Sequence, residues 1–187
     1  FESSASMPDQ SYLIISKLYE EYRAYNFDSA LHYIDLKIVI ARKLNQQEPL
    51  WESKLQLSDI LSATGMYKEA QEVLNCIDRS KFPQSLLSKY YNSQWLLNDQ
   101  IWHATRKSDQ LPNFEKISFA YKDSLLKTLD PASFEYKKAK EMQLYEMGDI
   151  KGSRAIISQL LSEMHEGTPE HAVFSYWMAM TYRAEKN

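Results

Sequence analysis

The sequence predicts an all-α helical-repeat fold of about nine antiparallel helices, on three observations. Apolar residues recur at helical spacing through nearly all of the 187 residues. Only 4 Gly and 6 Pro punctuate the chain, which favours long helices with short connections over a β fold. A turn, an aromatic or apolar residue and then a small residue recur in the same order: YNFDSA at 25–30, GMYKEA at 65–70 and GDIKGS at 148–153. A plain helical bundle with chance likeness between its pairs is the competing reading.

The first helix is expected over 10–25, with Leu13, Ile14, Leu18 and Tyr22 on its inner face. Asn26-Phe27-Asp28 turns the chain. The second helix, 29–44, carries Ala30, Tyr33, Ile34, Ile38 and Val39, and is apolar enough to pack on two sides. Residues 45–48 form a polar linker, and Pro49 suits a helix N-terminus.

The pair over 49–78 states the pattern most plainly. Leu55, Leu57, Ile60 and Leu61 give one apolar face, Gly65 breaks the helix, and Tyr67, Ala70, Val73, Leu74 and Ile77 give the next. Ala70, one turn into its helix, lets the two axes approach closely. The third pair spans 84–129, with a loop at 106–112 and Ala120 as the small residue at its crossing. The fourth spans 132–164, turning at Gly148 and crossing at Ser153. A half-repeat fills 168–187, started by Pro169. The small residues at 30, 70, 120 and 153 are spaced by 40, 50 and 33, about 41 on average. One continuous array is the expected domain organisation. The last helix reads as a first helix lacking its partner, so the chain is expected to be part of a longer protein.

Net charge is −3, and no basic block exceeds two residues, which argues against a nucleic-acid surface. The longest apolar run, Tyr176–Met180, is five residues, far short of a membrane span. Cys76 is the single cysteine, expected as a buried structural thiol. The lack of disulfides fits the cytosol without excluding the periplasm.

No nucleophile elbow, phosphate loop, zinc-protease motif or cofactor signature is present, so the chain is expected to be non-enzymatic and without cofactor. His165 and His171 stand near Glu163, Glu166 and Glu170, but the spacing spans a Gly-Pro turn and matches no ligand pattern. The 13 Tyr and 4 Trp are the better functional signal. On helix 84–105, Tyr91, Trp95, Asn98 and Trp102 fall on one stripe, with Tyr90, Leu97 and Ile101 on another. One stripe must pack, and the other could line the concave face of stacked repeats and bind a peptide. Against this stands the reading that both stripes are core, because the helix is sandwiched between two pairs. Tyr176, Trp177 and Met180 form a second exposed candidate.

With its turn glycine, Ala70, and Leu57 eight residues before Gly65, GMYKEA resembles the tetratricopeptide motif; GDIKGS is a looser copy. That resemblance implies a right-handed superhelix with a concave groove for a protein or peptide. The wording LYEEYRAYNFDSAL, GMYKEAQEVL and YKDSLLKTLDPASFEY is similar to a family of Bacteroidetes transcriptional regulators, in which such a region precedes a membrane helix and a DNA-binding tail. The resemblance implies a sensory or interaction segment facing the periplasm, with the cytoplasm as the alternative. A deep pocket with Trp and Tyr faces would instead favour a small-ligand sensor for a glycan or metabolite.

Overall fold

A computed structural model describes residues 10–105 and 113–185. Nine α-helices appear among them: α1 (Gln10–Tyr22), α2 (Phe27–Lys43), α3 (Gln47–Ala63), α4 (Tyr67–Asn75), α5 (Leu87–Thr105), α6 (Phe114–Thr128), α7 (Phe134–Glu146), α8 (Ile150–Glu163) and α9 (Pro169–Ala184). Two 3-10 turns, Arg79–Lys81 and Gln84–Leu86, fill the connection before α5. The predicted loop at 106–112 lies outside the described residues.

The helix ends follow from local chemistry. Gly65 and Gly148 take positive φ, 82° and 81°. The next residue then donates back to the helix, Met66 N–H to the Leu61 carbonyl and Asp149 N–H to the Leu144 carbonyl. Asn45 (φ 53°) does the same job between α2 and α3, with Gln46 N–H donating to the Ala41 carbonyl. The chain read as a polar linker is therefore a third copy of the same turn. Asn26, Ser133, Asp149 and Thr168 cap the N-termini of α2, α7, α8 and α9 through their side-chain oxygens.

The described chain divides into two compact units after Tyr121, inside α6. In the first, α2 packs on both α1 and α3, and α3 on both α4 and α5. Its core joins Trp51, Leu55, Leu61, Ala70, Leu74, Tyr90 and Leu97, with a second cluster of Tyr19, Ala30, Ile34, Ile38 and Ile60. In the second, α8 packs on α7 and α9 around Ile157, Leu160 and Phe174.

Ala30, Ala70 and Ser153 are fully buried where their helix pairs cross. Three expectations need correction. Ala120 is exposed, and Ser118, Lys122 and Leu125 are the buried positions of α6. The inner face of α1 is Tyr12 and Tyr19, two turns apart, while Leu13 and Ile14 face outward. Tyr12 wins because its hydroxyl finds buried partners, donating to the Pro49 carbonyl (3.1 Å) and lying 3.1 Å from Ser53 Oγ. Cys76 is exposed, since it falls just past the last turn of α4.

Candidate functional site

The aromatic stripe of α5 is interior at its middle. Trp95 and Asn98 are each only 4% exposed, and Asn98 donates to the Gln94 carbonyl at 2.7 Å. Tyr91 is half-buried, its ring 5.7 Å from the Arg79 guanidinium and 6.5 Å from the Tyr121 ring. Trp102 is half-buried beside His103, ring centroids 4.6 Å apart. The other stripe is interior too, with Tyr90 and Leu97 in the core. So α5 packs on both faces, and only the ends of the predicted stripe retain accessible surface.

A cavity lies in the second unit. It has a volume of about 270 Å³, and Glu141, Met142, Tyr145 and Glu146 of α7 line it together with Tyr176, Trp177 and Met180 of α9. The α9 side is the second aromatic candidate of the sequence. Tyr176 is 62% exposed at its edge, and Trp177 is fixed edge-on against Phe174, centroids 5.0 Å apart. The α7 side carries no motif that sets Met142 or Tyr145 apart in the sequence.

Glu141 and Glu146 are the charged residues of this lining. Glu146 accepts both its bonds, at 2.5 Å each, from Nζ of Lys122, whose side chain is wholly buried. Glu141 is buried and accepts from the Ser153 hydroxyl at 2.8 Å. Burial pushes its carboxyl above the usual range, outweighing the Ser153 hydroxyl and the nearby Lys122 ammonium. Arg154 of α8 donates to the Thr181 carbonyl (3.1 Å) and pairs with Glu185 (2.7 Å), which holds α9 in place.

His165 lies in the turn between α8 and α9, and His171 in the first turn of α9, where its N–H meets the Thr168 cap. Among the described residues, no three His, Cys, Asp or Glu gather into a metal-binding group. No described helix is long and apolar enough to cross a membrane.

The model of one family, the SusR N-terminal TPR domain, matches residues 1–187. The chain belongs to that family. No curated protein and no solved structure matches it. Membership accounts for the pairing of short turns with buried small residues at Ala30, Ala70 and Ser153, and for a helical-repeat domain of the protein-interaction type. It also agrees with the resemblance to Bacteroidetes regulators read from the sequence.

Proposed function

We propose that this SusR-type TPR domain is the sensory, partner-binding segment of a transcriptional regulator, and that it seats one anchoring side chain of a peptide between α7 and α9. The cavity of about 270 Å³ carries this reading. It falls just under the range of whole small-ligand sites, about 300–1,000 Å³, and suits a single large side chain. Its aromatic and thioether walls supply contact area at low entropic cost. A sugar ring would need hydrogen-bond partners around its whole edge, and the accessible lining here is mostly apolar. Occupancy would wedge α7 against α9 and so alter the packing presented to the rest of the regulator. In keeping with the resemblance, we place this segment on the periplasmic side of the envelope, with no catalytic role.

A random-peptide selection against the 187-residue chain tests this. Enriched peptides should shift the NMR signals of Trp177 and Met180 and lose binding to Tyr176→Ala. Enriched peptides that leave those signals in place would move the site elsewhere, and the ends of the α5 stripe, Tyr91 and Trp102, would be the next place to look.

A further inference from the structure

We infer that the α7–α9 cavity selects an organic cation, the guanidinium of an arginine side chain on the bound peptide. The inference rests on the partner-binding reading above and adds the chemistry of the anchor.

Three features point the same way. Tyr145, Tyr176 and Trp177 present three aromatic rings in the lining, and a cation is attracted to the negative face of such rings, most strongly to Trp. Guanidinium suits this better than ammonium, because it is planar, stacks on rings and gives up its hydration more readily. Second, both charged side chains of the lining are carboxylates, Glu141 and Glu146, against one buried cation, Lys122. Lys122 is committed to Glu146 through two bonds. The Ser153 hydroxyl occupies one acceptor site of Glu141, and a carboxylate has about four such sites. An entering guanidinium would lie near two carboxyl groups and one ammonium in a mostly apolar site, where the attraction is stronger than in water. Third, Met142 and Met180 complete the walls with unbranched, polarizable chains that match the aliphatic stem of arginine.

Burial also raises the Glu141 carboxyl above the usual range. A bound cation would draw it back down, so cation binding should release protons at mildly acidic pH and weaken as pH falls.

The test uses n-butylguanidinium and its neutral isostere n-butylurea as probes. The Trp177 indole signal of the whole chain, assigned by its loss in Trp177→Phe, is followed during titration. The guanidinium should bind roughly tenfold more tightly than the urea. Glu141→Gln, which keeps an acceptor for Ser153, should erase most of that preference, and Tyr176→Ala, a change at an exposed position, should weaken the guanidinium more than the urea. Equal binding of the two probes would overturn the cation inference and leave an apolar anchor pocket standing. Binding of neither would remove both the inference and the pocket reading. In each variant, unchanged Trp51 and Trp95 indole signals report that the first unit is intact.

Discussion

The hairpins α3–α4 and α7–α8 can be laid on one another residue by residue, and the seams they build differ. Gly65 corresponds to Gly148, and Tyr67 to Ile150. The match extends to the crossing, where Ser58 donates to the Ala70 carbonyl (3.3 Å) and, twelve residues apart again, Ser153 donates to Glu141 (2.8 Å). Asp59, Ser62 and Ala63 of α3 then correspond to Met142, Tyr145 and Glu146 of α7. With short side chains there, α3 packs directly on α5. With long ones, the backbones of α7 and α9 stay apart among the described residues, and a cavity opens between them. One repeat plan gives a closed seam or an open one according to side-chain length at three positions.

The largest expected effect tests whether the α5 stripe belongs to the closed seam. Trp95→Ala should cost about 3–5 kcal/mol, the range for emptying a buried tryptophan site, while Tyr176→Ala at the mouth of the open seam should stay within about 0.5 kcal/mol. Chemical denaturation of the two variants compares them directly. Equal losses would mean that α9 is packed as α5 is.

Exchanging the crossing residues comes next. Ser58→Glu puts the Glu141 chemistry opposite Ala70, which has no hydroxyl to donate, and should cost about 3 kcal/mol for an uncompensated buried charge. Adding Ala70→Ser should return about 1.5–3 kcal/mol, as a hydrogen bond to a charged group does. No rescue in the double variant would show that the two crossings are not equivalent.

A smaller, pH-dependent effect sharpens the same contrast. Asp59 Oδ1 is shut off from solvent and Ser93 faces it from α5. Burial pushes this carboxyl up to about 6, with the Ser93 hydroxyl and Arg23 opposing. Because the folded state holds the proton more tightly, stability is highest below the unfolded value of about 4. It falls as pH rises from about 4 to 6, and the cost is complete above that. Asp59→Asn should therefore stabilise the chain by roughly 1–3 kcal/mol at neutral pH and by little below pH 4, read from melting temperature against pH. A pH-independent effect would show that the carboxyl is solvated.

The fold was legible because turn chemistry is local. Gly65 and Gly148 mark their turns unaided, and Ala70 and Ser153 follow at fixed distance. Asn45 was harder to see, since asparagine adopts positive φ only where the following backbone bond rewards it. The face of α1 was misread because hydropathy ranks Leu13 and Ile14 above Tyr12, whereas burial depended on hydroxyl partners forty residues away. Half of the candidate site was visible as Tyr176, Trp177 and Met180. The α7 half is readable only by comparing hairpins, where Glu141 stands in the place of Ser58. The interior position of Trp95 and Asn98 depends on packing from both sides of α5, which spacing along one helix does not report.

Cys76 is the only thiol in the chain, and it is exposed. A maleimide dye would thus find a single address, with no cysteine to remove first, and would sit in the first unit while Trp177 reports from the second. The same exposure governs handling. Without a reductant, two chains can join through Cys76, and a dimer on a sizing column would then be a product of air rather than of assembly.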